Sequence, residues 1–387
     1  MELRPEIWTA NVVYAGFGTP MLSGGVAVVG GHVAAVGGLD ELKRAYPDAA
    51  VVAKGKAITP PVVNAHTHLD LSTLPHLTGS YAGFIRHVIQ NSNLRNQEAA
   101  QAGLSELNAH ATGAFGDIVY NAKVMDWLIE TVETPATLYW EVVNWQPGQA
   151  REIFENTRQK LEAWKARNRK ATIGLSPHTA HTVSAPLLKL LVEYAVNEGL
   201  PVQIHLAESR EEITLFTDGT GPLAELMPSL RSVWTSPKTS PVQYLAGLGV
   251  LKPGVALVHV VQVDDNDVKT LAQAGVRVIS CPRSNQLLNC GRMPWELFAK
   301  HGVEVALGTD SRASSPDLDV KKEVEFLWDK VDPRLLVRAA TRGGYRALGL
   351  ESVQLESRFR DPFEQLSAVG RARPRVERGE DAGDDEH

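Results

Sequence analysis

A chain of 387 residues with 43% hydrophobic and 22% charged content has the make-up of a globular enzyme, long enough for one large α/β barrel and a small appendage. Its 39 basic and 45 acidic residues leave a net charge of −6 with no long basic run, which excludes a dedicated nucleic-acid binder. Cys281 and Cys290 are the only cysteines, which excludes a disulfide framework and fits a reducing cytosol; both read as packing residues. The N-terminus, Met1 to Pro5, lacks a basic segment followed by an apolar core, and no apolar stretch reaches membrane-spanning length. A cytoplasmic protein without membrane contact is expected.

Residues 1–57 read as the first part of a small β domain. Gly24 to Gly38 holds two apolar runs joined at Gly30-Gly31-His32, a hairpin signal, and no phosphate-loop or dinucleotide spacing accompanies its glycines. From Ile58 a second rhythm begins. Strand-length apolar runs recur near 58–64, 113–119, 136–143, 171–177, 201–206, 255–260, 276–281 and 303–309, most of them separated by helical segments such as Ala150–Lys165 and Ala185–Glu198. Eight strands alternating with helices predict an α/β fold, a (β/α)8 TIM-type barrel over 58–344, beside a β-sandwich-like small domain. Residues 345–370 are expected to form a C-terminal segment completing part of the small domain, and 371–387 a disordered charged tail.

In such a barrel the chemistry sits at the C-terminal ends of the strands. The first run ends in Asn64-Ala65-His66-Thr67-His68, and side chains two apart on a strand share a face, so two imidazoles point to one place. The fifth run ends at His205, with Glu208 three residues on; the sixth ends at His259 and the eighth at Asp310. A histidine ending an apolar strand is ordinarily a hydrogen-bonded rim residue, and Glu208 read in isolation is a first-turn acid of a helix. Five ligand-type residues at five predicted active-face positions argue instead for a metal site. His66, His68, His205 and Asp310 supply three nitrogens and an oxygen with a position open for water, the plan of a catalytic centre for one divalent metal, zinc or alternatively iron. Such a metal makes water acidic enough to react near neutrality. Asp310 is then also a base, His259 orients the water or serves as a further ligand, the first being favoured, and Glu208 is the acid that protonates a ring nitrogen. The fourth strand ends in Ser176-Pro177-His178, with Lys170 lying before it, so no lysine stands there to bridge a second metal. Of the other histidines, His32 reads as a turn residue, His76 and His87 as lining a substrate mouth, His110 and His301 as helix ends, and His387 as tail.

The ordered set Val63–His68, Ser176-Pro177-His178, His205-Leu206-Ala207-Glu208, Val258-His259, Cys281–Asn285 and Gly308–Ser311 resembles the amidohydrolase superfamily over roughly residues 1–350. Within it, the set resembles the one-metal aminohydrolase and chlorohydrolase branch. The resemblance implies hydrolytic deamination of a purine, pyrimidine or related ring with zinc or iron. Cys281–Asn285 together with Thr309–Ser314 is similar to the aminodeoxyfutalosine deaminases of menaquinone synthesis, and deaminases of S-adenosylhomocysteine and methylthioadenosine share much of the pattern. That likeness implies a purine nucleoside attacked at its amino-bearing carbon, with ammonia released and a hypoxanthine-type product. It also implies a homodimer and substrate contacts from His178 and Ser311. A benzoate on the substrate would be met by Arg86 or Arg283, while His181 stands where many relatives have tyrosine. Guanine deamination, dechlorination of a triazine, and a catalytically silent barrel acting in assembly are the competing readings. Two departures stand out: Pro60-Pro61 replaces the usual Pro-Gly, and the Gly-x-x-Ala-Asp-Leu segment that completes the small domain in relatives is missing after Leu350.

Overall fold

A computed structural model describes residues 4–14, 21–167, 170–226 and 233–350. The expectations for 353–370, for the 371–387 tail and for His387 fall outside the described residues. The chain forms two compact units, one from the residues up to Thr59 and one from Pro60 onward.

The first unit holds two small sheets. β1 (Glu6–Thr9) pairs antiparallel with β4 (Gly24–Val29) and parallel with β6 (Ala50–Ala53), and β5 (His32–Gly38) closes a hairpin on β4. Gly30 and Gly31 take φ of 62° and 81° in the hairpin turn, a region open to glycine without a Cβ clash. A three-stranded sheet joins β2 (Val12–Val13), β3 (Met21–Leu22) and β7 (Ala57–Ile58) in the order β3-β2-β7. Ile58, expected in the first barrel strand, therefore belongs to this unit. Pro60 and Pro61 have no N–H to donate to a ladder, so the strand predicted over 58–64 is broken in two.

The second unit is an eight-stranded parallel sheet in sequential order: β8 (Val63–Thr67), β9 (Ala114–Val119), β10 (Ala136–Val142), β11 (Thr172–Pro177), β12 (Val202–Leu206), β13 (Val255–His259), β14 (Arg277–Ser280) and β15 (Val305–Leu307). With helices between the strands it is a (β/α)8 barrel. Backbone and side chain close the seam between β15 and β8. The Asp310 N–H donates to the His66 carbonyl (3.1 Å), the Thr309 N–H to Asn64 Oδ1 (3.0 Å), and Asn64 Nδ2 to Thr309 Oγ1 (2.8 Å). Gly308 makes this approach possible, because a Cβ there would lie 2.8 Å from His66 Cβ.

Buried Leu, Val and Ile on the outer faces of the strands pack on the helices, while Val63, Ile118, Tyr139, Val258 and Ile279 fill the interior. Tyr345, Leu348 and Leu350 belong to that interior core, and Thr137 Oγ1 donates to the Leu348 carbonyl (2.8 Å). The first residues of the C-terminal segment are thus part of the barrel, because burying Tyr345 and Leu348 completely is favourable only there. Among the described residues no helix is long and apolar enough to cross a membrane.

Candidate metal centre and catalytic cavity

The strands deliver their polar side chains to one end of the barrel. His68 Nε2 lies 3.3 Å from His205 Nε2 and 3.6 Å from Asp310 Oδ1, and His66 Nε2 lies 3.8 Å from the same oxygen. Ligand atoms around a tetrahedral zinc at 2.0–2.1 Å are about 3.3 Å apart, so the donor set has the right spacing and chemistry for such an ion. His66 Nε2 is buried with no hydrogen-bond partner, the mark of a lone pair meant for something other than the protein. Burial, then the neighbouring His205, holds His66 down to about 4, and burial together with His66 and His205 holds His68 well below its ordinary value. Both imidazoles stay neutral, the form that binds a metal.

Neighbouring groups aim these ligands. His66 Nδ1 meets Gln203 Oε1 at 2.8 Å, and Gln203 Nε2 donates to the Ala65 carbonyl at 2.9 Å. His205 Nδ1 meets the His178 carbonyl at 2.9 Å, which puts its proton on Nδ1 and its lone pair on Nε2. Ser284 Oγ (2.7 Å) and Ser314 Oγ (2.9 Å) both donate to Asp310 Oδ2, leaving Oδ1 toward the histidines. Burial acts to raise the Asp310 carboxyl, but His259, His66 and the Ser284 hydroxyl outweigh it and keep the group ionised.

Glu208 and His259 stand beside this cluster, with His259 Nε2 3.4 Å from Glu208 Oε2. Burial, then the negative charges of Asp310 and Glu212, raises the Glu208 carboxyl well above the usual range, which favours its protonated form. Asn285 Nδ2 is 2.9 Å from His259 Nδ1; donating there, it leaves the His259 proton on Nε2, facing Glu208. Burial holds His259 down to about 3. His259 also comes within 4.8 Å ligand range of His66 and His205. The backbone at these strand ends is strained: Ala207, His259, Val260 and Asp310 take φ of 51°, 74°, 47° and 62°. Such conformations cost about 1–3 kcal/mol each and persist where packing over-determines them.

The cluster opens into a cavity of about 360 Å³. Tyr81, Phe84, Ile85 and Val88 from helix Tyr81–Gln90 form an apolar wall, with His178, Glu141 and Arg95 opposite. Ile89, Tyr120 and Val143, which also line it, are among the exposed large hydrophobics. His178 Nδ1 is tied to Thr182 Oγ1 (2.8 Å).

Three expected substrate contacts are not brought here. Arg86 is exposed and outside the cavity lining, on the side of its helix turned from the apolar wall. Arg283 is held by Glu323 Oε1 (2.7 Å) and Asp317 Oδ2 (3.0 Å), which satisfy its guanidinium away from the cavity. Ser311 is fully buried against Ser314 Oγ (3.0 Å) and does not line the cavity. His76 and His87 bind the carbonyls of Arg312 and Pro75 instead of lining the mouth, and His181 is buried outside it. Sequence reasoning missed Gln203, although it lies two residues before His205 on the same strand face. It also missed Arg95, Asp70 and Glu141, for which no local pattern exists.

Comparison with known proteins agrees with this geometry. The Amidohydrolase family profile matches residues 57–354, and the profile for an imidazolonepropionase-like composite domain of bacteria matches residues 24–49. The aminodeoxyfutalosine deaminase of Deinococcus radiodurans is 46% identical over 358 residues, covering 89% of this chain and 86% of that protein. The structure of Helicobacter pylori aminofutalosine deaminase in complex with methylthio-coformycin superposes with a TM-score of 0.77 at 21% identity, covering 95% of this chain and 97% of that one. An adenosine deaminase from Xanthomonas campestris with bound zinc reaches a TM-score of 0.68 at 21% identity, over 89% of this chain and 80% of that one. These last two are likenesses of fold. With the profile spanning the whole barrel and a relative this similar over nearly its full length, the chain belongs to the amidohydrolase family.

Proposed function

We propose that this chain is a zinc-dependent aminohydrolase that converts aminodeoxyfutalosine to futalosine and ammonia. The observation that carries the reading is the convergence of His66, His68 and His205 with Asp310, beside a Glu208 whose carboxyl is raised by burial, in a nucleoside-sized cavity. His66, His68, His205 and Asp310 would hold one zinc ion, which when bound supplies Lewis-acid activation of water near neutral pH. Glu208 donates its proton to the ring nitrogen beside the amino-bearing carbon, making that carbon electrophilic. His259 Nε2–H orients the attacking water, and Asp310 accepts a proton from it. Returned to the amino group, that proton lets the C–N bond break and ammonia leave, while the remaining hydroxyl proton passes to Glu208 as the carbonyl forms, restoring the acid. His178 faces the ring from the cavity wall.

The Deinococcus radiodurans relative supports the choice of substrate. So does the apolar wall running out to Ile89, Tyr120 and Val143 at the mouth, a surface suited to an aryl group on the 5′ side of the nucleoside. The reading takes the enzyme as cytoplasmic and homodimeric, the second of which sedimentation tests. Ammonia release and ultraviolet change are measured on zinc-loaded protein with aminodeoxyfutalosine, S-adenosylhomocysteine, methylthioadenosine, adenosine and guanine. Fastest turnover of the first is expected. Preference for another purine would keep the chemistry and discard this substrate, and silence on all five with metal bound would discard both.

A further inference from the structure

In the cavity wall, Arg95 stands between two acidic side chains, Asp70 and Glu141. Arg95 is pinned by Asp70 through two parallel hydrogen bonds, Nε to Oδ2 (2.9 Å) and Nη2 to Oδ1 (3.0 Å). Glu141 adds a second carboxylate, reached by Arg95 Nη1 only at 3.4 Å, through Oε2. All three side chains are buried, and Glu141 and Arg95 line the cavity. Glu141 lies two residues beyond Tyr139 on β10, so it shares the interior face of that strand and sits at its upper end. Its other oxygen, Oε1, accepts no hydrogen bond from the described residues; His178 Nε2 is 3.9 Å away, too far for one.

Arg95 does not need Glu141 for neutralisation, since Asp70 already provides it in the better geometry. Glu141 Oε1 therefore faces the cavity with its acceptor capacity unused by the described residues, open to a donor from a ligand. Glu141 stands beside His178, the histidine that faces the ring in the reading above: one of its oxygens comes within 4.8 Å of ring nitrogens of His178 and His205. With an adenine ring held against His178, the sugar attached to that ring comes within reach of Glu141.

We propose that Glu141 Oε1 is the acceptor for the ribose hydroxyls of the substrate, making the cavity selective for ribonucleosides over nucleosides lacking the 2′ and 3′ hydroxyls. This rests on the adenine-nucleoside reading above and adds to it the part of the substrate that Glu141 recognises. Asp70 holds Arg95, and Arg95 turns Glu141 through Oε2, leaving Oε1 toward the cavity. Glutamine at this position would offer its carbonyl to Arg95 and an NH2 group to the cavity, and so would not accept from a hydroxyl.

The test measures dissociation constants by calorimetry for adenosine and 2′,3′-dideoxyadenosine. It uses the zinc-loaded Glu208→Gln protein, in which turnover is slowed, with and without Glu141→Gln, and checks each melting temperature and that the nucleoside is intact after each titration. With Glu141 present, adenosine should bind about ten- to one-hundred-fold more tightly than the dideoxy compound, the range for hydrogen bonds to a charged group. With Glu141→Gln the two should bind within about threefold of each other, adenosine having lost the affinity. Equal binding of the two nucleosides with Glu141 in place overturns the proposal without any reference to a variant fold. Equal weakening of both by Glu141→Gln overturns it in favour of a structural partner for Arg95. Failure of wild-type protein to release ammonia from any adenine nucleoside, with neither compound bound, removes the deaminase reading and this proposal with it.

Discussion

Replacing Gln203 by leucine isolates the contribution of a residue that touches no substrate. Its amide is used at both ends: Oε1 meets His66 Nδ1 at 2.8 Å, and Nε2 donates to the Ala65 carbonyl at 2.9 Å. The pairing of β8 with β9 shifts register between Asn64 and Thr67, so the ladder is irregular where Ala65 and His66 sit, and Gln203 reaches across the barrel to complete it. Leucine keeps the volume and removes both bonds. Two hydrogen bonds at about 1 kcal/mol each, with the buried carbonyl left unpaired, put the loss of metal-free stability at about 2–4 kcal/mol. The larger signature concerns the metal. Without Gln203 the His66 tautomer and ring angle are no longer set, and loss of such an orienting partner typically weakens metal binding ten- to one-hundred-fold, or about 1.4–2.8 kcal/mol. Zinc affinity is read by competition with a chromophoric chelator, and metal-free stability by urea unfolding. A zinc dissociation constant within twofold of wild type would refute the argument that Gln203 aims His66, even if stability fell as expected.

Glu208→Gln should lower kcat by about 10²–10⁴ while leaving zinc content at one per chain, as measured by steady-state ammonia release and elemental analysis. Gly308→Ala places a Cβ 2.9 Å from the His66 backbone nitrogen at the seam, and should lower both melting temperature and zinc affinity. Arg86→Ala should leave kcat/KM for aminodeoxyfutalosine within about twofold, because the side chain lies outside the cavity; a tenfold loss would put that arginine back at the substrate. His181 is held down to about 3, by burial first and then by His178 and His205. The unfolded chain takes up a proton near 6.5 and the folded one does not, so this contribution to stability is present above 6.5 and is lost as pH falls toward 3. His181→Phe should therefore flatten the fall in melting temperature between pH 6.5 and pH 4 relative to wild type, measured on metal-free protein; parallel curves would contradict the assignment.

Local periodicity explains what was legible before any coordinates. Eight apolar runs of strand length separated by helical segments set the barrel, since period-two and period-3.6 burial are properties of a few consecutive residues. Ligand-type residues at strand ends followed, because a parallel barrel presents all its C-terminal strand ends on one face. The structure does bring His68 to 3.3 Å from His205 and 3.6 Å from Asp310, and His66 to 3.8 Å from Asp310, with Glu208 and His259 alongside. The start of the first strand was misplaced, as its apolar run hid a break at Pro60-Pro61 that divides Ile58 from Val63.

Only the tertiary structure decided which charges face the cavity. Arg86 and Arg283 carry the same guanidinium as Arg95, and nothing in their neighbours along the chain tells them apart. Asp317 and Glu323 claim Arg283, while Asp70 and Glu141, 25 residues before and 46 after Arg95, hold Arg95 in the wall. The same holds for Gln203 on His66, 137 residues apart, and for Asn285 on His259. The sequence determined the barrel and the strand ends because these arise from short-range hydrophobic pattern. The orientation of each clustered histidine, the raised carboxyl of Glu208 and the free oxygen of Glu141 were decided by burial and by partners from distant strands, which exist only once the barrel has closed.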